Sequence, residues 1–370
     1  MVAGSSPAAP AIKSPYGRFF VRIFIMDLIQ FQRLVNKEPR YRLEQAKRAL
    51  FYDLIKNWQE AIVLPLSLRK ELNKECPIEI PAKTFVSKDK NTIKTLITLK
   101  DDLKIEAVLM RHKDKRNTIC VSSQVGCPLN CSFCATGKMG FKRNLEASEI
   151  VEQVLFFARY LKQIGERITN IVFMGMGEPF LNYQNVIGAI KILNDKEGFN
   201  LGARHFSIST VGIVDGIENL AKEKLQINLA ISLHAPNDEL RSKLMPIDKK
   251  YPIKKILNSI DDYIKRTRRR VMFEYIMIKD VNDSEEHAKT LAKLMRKPLY
   301  FVNLISYNPT GIFKSSSSLR IKKFKEILEK EGVMVTQRYR LGQGIKAACG
   351  QLALSGAEDD FIKEKKENNK

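Results

Sequence analysis

The chain predicts an α/β fold: a parallel α/β barrel, or part of one, with a small helical unit in front. Short runs rich in apolar and β-branched residues recur at 169–173, 205–210, 226–232, 271–277 and 299–305, each of strand length. Helical stretches such as 252–266 and 284–295 separate them. The polar residues that stand out fall at the ends of those strands, where sites in βα barrels gather.

The elements follow in order. Residues 1–16 are rich in Ala, Pro and Ser and read as a disordered lead, which extends to 25 with Met26 as the expected true start. From 27 to 72 apolar residues recur at helical spacing, broken at Asn36, Lys37, Glu38 and Pro39, so 26–75 is expected to form a helical accessory unit. Residues 78–110 alternate and carry turn signals, which predicts short antiparallel strands; 76–105 is a strand-rich connecting segment. The core is expected over 106–353. Within it Ser148 is the expected N-cap of a helix, with Glu149 and Glu152 in its first turn. Ile150, Val151, Val154, Phe157, Ala158 and Leu161 form that helix's apolar stripe. The stretch 354–370 is charged and expected to be disordered.

Lysine and arginine outnumber acids 63 to 41, giving a net charge of +22. Such a balance favours an anionic polymer as partner, most simply nucleic acid. Two basic runs stand out, Lys265 to Arg270 and Arg320 to Lys323; either one also fits a solvated helix end. The most apolar stretch, 19–29, is short and interrupted by Arg22 and Asp27, so no membrane span and no secretory cleavage pattern is expected. Six cysteines, three of them clustered, argue for a reducing compartment, hence the cytoplasm.

The clustered three are Cys127, Cys131 and Cys134, spaced Cys-x3-Cys-x2-Cys. Thiolates this close hold a soft metal or an iron–sulfur cluster. Structural zinc takes four ligands, whereas three leave one metal position open for chemistry. Simple packing of small apolar thiols fits poorly beside Pro128, Asn130 and Ser132. The spacing by itself leaves cluster and zinc both open.

Phe133 stands before the third cysteine, and four further segments accompany the trio: Asn117 to Gly126, Met174 to Pro179, Ile231 to Glu239 and Ala347 to Leu352. The trio with its aromatic resembles the radical S-adenosylmethionine superfamily. With the other segments, from about Asp27 to Ala353, the chain resembles the RlmN/Cfr family of RNA adenine methyltransferases, and its adenine-C2 branch in particular. The resemblance implies a partial (β/α)6 TIM-like barrel in which Cys127, Cys131 and Cys134 hold three irons of a [4Fe–4S] cluster. S-adenosylmethionine then binds the fourth iron through its amino and carboxylate groups. It also implies that Cys349 is the methyl carrier: one S-adenosylmethionine methylates its sulfur, and a second generates the radical that activates that methyl for addition to adenine C2. Cys120 matches the cysteine that resolves the protein–RNA crosslink through a transient disulfide with Cys349. Glu106, fourteen residues before Cys120, matches the glutamate that accepts the C2 proton. Gly177, Glu178, Ser209, Ser232, Leu233, His234 and Asn308 match S-adenosylmethionine contacts. Cys76 matches no motif and is expected to be an incidental thiol.

The implied partners are 23S rRNA before ribosome assembly is complete, tRNA, and an electron donor such as flavodoxin. A monomer with no membrane association is expected, and the helical unit is the implied RNA guide. Two departures from the family pattern stand out. Gly342 to Lys346 lacks the acidic residues common there, and Ser306-Tyr307 replaces Pro-Trp before Asn308. The alternatives are a Cfr-type enzyme acting at adenine C8 and a non-catalytic, metal-bearing RNA-binding module, which would tolerate loss of Cys349.

Overall fold

A computed structural model describes residues 28–338 and 342–353; the expected lead, Met26 and the charged tail lie outside the described residues. Ten strands form one sheet in strict chain order. They are β1 (Ala82–Val86), β2 (Thr92–Thr98), β3 (Lys104–Arg111), β4 (Asn117–Cys120), β7 (Asn170–Phe173), β8 (Phe206–Thr210), β9 (Asn228–Ser232), β10 (Val271–Met277), β11 (Tyr300–Ser306) and β12 (Val335–Gln337). Between β4 and β7 a separate antiparallel ribbon pairs β5 (Gln124–Gly126) with β6 (Phe141–Asn144).

β1 to β4 pair antiparallel, joined by turns. From β4 onward every pairing is parallel. Parallel neighbours need a crossover, and helices Ala147–Gln163, Tyr183–Asn194, Val214–Leu220, Ile253–Thr267, Glu285–Met295 and Ser318–Lys330 lie in the six connections. Six strand–helix units and a closing short strand therefore make the partial barrel that the sequence predicts. β1 and β12 end the pairing order without pairing each other, so the wall is open. The division expected between 105 and 106 lies within β3, of which Lys104–Met110 pair with β2 and Val108–Arg111 pair with β4.

The helix Ala147–Gln163 corrects one detail. Its N-cap is Glu146, not Ser148, through a reciprocal capping box with Glu149. Serine is the better cap by preference, but Arg143 grips both oxygens of Glu149 at 2.7 and 2.8 Å and fixes that carboxylate where it accepts from the Glu146 N–H at 2.9 Å. Ser148 lies inside the first turn.

In front of the barrel, helices Leu28–Val35, Arg40–Phe51 and Leu66–Glu75 close around Trp58, which is fully buried. Its ring stacks on Phe31 at 5.7 Å and its Nε1–H donates to the Cys76 carbonyl at 2.7 Å. Cys76 is a buried core thiol. The half-buried Arg159 side chain joins unit to barrel, donating to the Ile55 and Ile78 carbonyls at 2.9 and 3.2 Å. No helix of the described residues is long and apolar enough to cross a membrane.

Candidate active site

The cysteine trio lies on the loop that leaves the β5–β6 ribbon. Gly126 sets its start, with φ +76° and a position where an added Cβ would lie 1.8 Å from the Gly140 carbonyl oxygen. Only glycine fits such an approach. The Cys127 N–H then donates to that same oxygen at 3.0 Å, and Cys134 N–H to the Cys131 carbonyl at 3.0 Å. Burial lifts Cys127 to about 12 and Cys131 well above its ordinary value. Three thiolates side by side in such a place need metal charge to stabilise them. Among the described residues no three His, Cys, Asp or Glu side chains close on one point as single-ion ligands would. Three cysteine thiols on one short loop are a donor set that an iron–sulfur cluster takes.

The strand ends opposite the loop supply polar groups. Gly177 turns at φ +99° with its Cα against Gln124. Glu178 follows it. Its two carboxylate oxygens accept from the Phe180 and Val211 N–H groups at 3.0 and 2.9 Å, while burial raises its pKa to about 7. A neighbouring ammonium would restore the charged form. Ser209, at the end of β8, donates to Glu274 Oε2 at 2.5 Å and lies 3.3 Å from the Ser232 hydroxyl. His234 sits at φ +61°, its Nδ1 accepting from the Ile276 N–H at 3.2 Å and its ring edge-on to Phe133 at 5.0 Å. Burial holds it neutral, with a pKa near 3; a satisfied aromatic wall fits this better than a cationic contact. Leu233 is fully buried among the apolar side chains beneath.

Cys349 reaches this cavity from the far end of the chain. Ala135 N–H donates to the Gly350 carbonyl at 2.8 Å and the Thr136 hydroxyl to the Leu352 carbonyl at 2.6 Å. Asn308 Nδ2 donates to the Cys349 carbonyl at 3.2 Å. Three bonds thus tie the carrier segment to the cysteine loop and to the end of β11. The thiol is open to the cavity, yet enough protein surrounds it to raise its pKa to about 11.

One cavity of about 130 Å³ is lined by Cys127, Cys131, Cys134, Gly177, Glu178, Ser209, Ser232, His234 and Cys349. A second, of about 480 Å³ and deeper in the barrel, is lined by Cys120, Asn308 and again Cys349. Cys120 and Cys349 are both free thiols in this structure and face that shared space. Glu106 lines neither cavity. Its carboxylate is buried, 2.9 Å from the Lys94 ammonium and 3.0 Å from the Ala353 N–H that donates to it.

Three charged residues at the site escaped sequence reading. Glu274, in the middle of β10, lines the upper cavity with Oε1 lacking a hydrogen-bond partner. Arg338, just past β12, lies 3.6 Å from it and lines the deeper cavity. Arg241, fully buried, pairs with Asp248 at 2.7 Å and donates to the Val211 and Ser232 carbonyls, bracing two strand ends. A carboxylate inside the apolar run VMFEYIM was the one available signal, for Glu274.

The comparisons agree with this geometry. The Radical SAM superfamily model matches residues 121–292. The chain is 47% identical over 317 residues to the protein named "Probable dual-specificity RNA methyltransferase RlmN" of Dictyoglomus thermophilum, covering 85% of this chain and 91% of that one. It is 49% identical over 323 residues to the "Ribosomal RNA large subunit methyltransferase N" of Nitrosopumilus maritimus, covering 85% and 92%. A crystal structure of a radical SAM methyltransferase from Sphaerobacter thermophilus aligns at TM-score 0.84 and 45% identity, covering 88% of this chain and 96% of that one. Nearly half the residues are identical over most of the length, with cysteine loop and carrier segment in one cavity: the chain belongs to the RlmN family of radical S-adenosylmethionine RNA methyltransferases.

Proposed function

We propose that this enzyme methylates C2 of an adenine in 23S rRNA and in tRNA, through a methylated Cys349. The observation that carries the reading is Cys349 bound into the cysteine loop's cavity and sharing the next cavity with Cys120. Cys127, Cys131 and Cys134 would hold a [4Fe–4S] cluster, which with S-adenosylmethionine supplies, when bound, the electron and the hydrogen-abstracting radical. Glu178 offers an anion to the ligand's ammonium, while Ser209, Ser232 and Asn308 offer hydrogen bonds at strand ends.

The sulfur of Cys349 takes the methyl and later bonds through it to the base. Glu106 accepts the C2 proton; its contact with Ala353 links it to the carrier segment. The Cys120 thiolate then attacks the Cys349 sulfur: the S–S bond forms, the S–C bond breaks, and the electron pair left on the exocyclic carbon takes up a proton to complete the new methyl group. A reductant must afterwards return both thiols. A flavodoxin-like protein is the expected electron donor and the cytoplasm the expected compartment.

Anaerobically reconstituted protein incubated with S-adenosylmethionine alone should gain one methyl on Cys349 by mass spectrometry. Added RNA, digested to nucleosides, should then yield 2-methyladenosine. An unmodified Cys349 sinks the carrier role, and 8-methyladenosine moves the enzyme to the C8 branch.

A further inference from the structure

A third cavity, of about 660 Å³, opens at the opposite end of the barrel, between the N-terminal ends of β8 to β11. Arg204, Arg268, Arg269 and Arg270 line it, and no carboxylate does. We propose that this arginine mouth binds the phosphates of the RNA strand, and that the target nucleotide enters the barrel there and travels inward to Cys349. The proposal rests on the RNA methyltransferase reading and says where that substrate docks.

Continuity is the first support. Ser207 and Met272 line both the mouth and the cavity that holds Cys120 and Cys349, so the same two side chains border both spaces. Charge is the second. Among the described residues none of the four arginines forms an ion pair. Their partners are neutral: Arg204 donates to Gln226 Oε1 at 2.5 Å, Arg269 to Asn228 Oδ1 at 3.0 Å, and Arg270 lies over the Phe301 ring at 5.8 Å. Burial and the facing Arg204 both hold the Arg269 guanidinium below its ordinary range. Like charges gathered without a counter-acid disfavour the free protein and favour an anion between them.

The other basic run behaves differently. Arg320 pairs with Asp280 and Asp283, Lys322 with Glu326, Lys323 with Glu285 and Lys325 with Glu329. That face is neutralised; the mouth is not. The helical unit adds a third support, since the loop that carries Arg204 also borders it: Phe199, Gly202 and His205 line one groove with Phe51 and Leu54. Helical unit and arginine mouth thus lie side by side at one end of the barrel. An acidic electron-donor protein fits this end less well. The cysteine loop sits at the C-terminal ends of strands of five to seven residues, which puts it roughly 15–20 Å away.

The test is RNA binding by the full-length, cluster-loaded protein, with a fluorescent 23S rRNA hairpin containing the target adenine as probe, from 50 to 250 mM KCl. In the variant Arg204→Glu/Arg269→Glu/Arg270→Glu, affinity should fall at least about tenfold. The slope of log Kd against log salt should flatten by about 2, the value for three lost phosphate contacts on a single strand. Lys322→Glu/Lys323→Glu/Lys325→Glu changes net charge equally and should stay within about threefold of wild type. Iron content and thermal unfolding check that each variant is folded. If the charge reversals fail that check, Arg269→Gln/Arg270→Gln supplies the readout, with an expected loss of slope near 1.4. Wild-type affinity and slope in the mouth variants overturn the proposal, as does an equal loss in the helix variant. Wild-type protein that binds the hairpin but methylates neither Cys349 nor RNA overturns the methyltransferase reading and leaves the docking site standing.

Discussion

Cys120 sits at the end of β4 with its thiol pushed up to about 12 by burial, and the neighbouring Cys349 adds to the rise while Arg338 opposes it. Only the thiolate attacks, and below its raised pKa the ionised fraction of Cys120 grows about tenfold per pH unit. Release of a preformed protein–RNA adduct in a single turnover should therefore accelerate about tenfold per pH unit from pH 7 to 9. A flat profile would exclude attack by this thiol as the limiting step. Cys120→Ala should leave the adduct on denaturing gels, and Cys349→Ala should form none and methylate no RNA. The non-catalytic alternative requires the opposite for Cys349. Arg338→Gln should slow adduct release at every pH, with partial rescue by Arg338→Lys; an unchanged rate would free Arg338 of any such effect.

At the scale of elements, the strand ends that carry the site are held by buried polar side chains. Arg241 on the helix Asp238–Leu244 joins the ends of β8 and β9 through the carbonyls of Val211 and Ser232, with Asp248 as counter-charge. Arg241→Met should cost about 3–5 kcal/mol, because Asp248 is left buried and uncompensated. Adding Asp248→Leu should return part of that loss, and denaturant titration of both variants checks the sign. The elements themselves were largely legible: the run 271–277 is β10 end to end, the other four predicted strands differ by one or two residues at their starts, and the last of them also ends one residue later. Periodicity reports burial, and burial follows the local pattern. Glu274, Arg338 and Arg241 were not legible, because each matters through partners that lie far away in sequence or in backbone carbonyls. The Ser148 cap failed for a related reason: Arg143, not local preference, decides where that helix starts.

At the scale of the whole molecule, polar contacts between the helical unit and the barrel include Arg159 to two carbonyls, Lys162 to the Asp53 carbonyl at 2.5 Å and Lys47 to Asp195 at 3.6 Å. Arg159→Ala removes the two half-buried bonds, at about 0.5–1.5 kcal/mol each. Limited proteolysis between residues 52 and 80 should quicken and RNA affinity should fall, while the methyl found on Cys349 after incubation with S-adenosylmethionine alone should be unchanged. Loss of that methyl as well would mean that the unit supports the barrel and is more than a guide. Charge alone forecast a polyanionic partner from the excess of 63 basic over 41 acidic residues. It could not tell the paired helix face from the unpaired mouth, since pairing depends on acids brought in by other elements.

The bonds from Ala135 and Thr136 to the carrier segment also impose an order on biogenesis. Cys349 is translated 215 residues after Cys134, an interval of about 10–40 s at ordinary elongation rates. Throughout that interval the nascent cysteine loop lacks the two hydrogen-bond partners that the carrier segment later supplies. Arrival of the carrier adds those two bonds, so the loop gains its final partners only once Leu352 has been made.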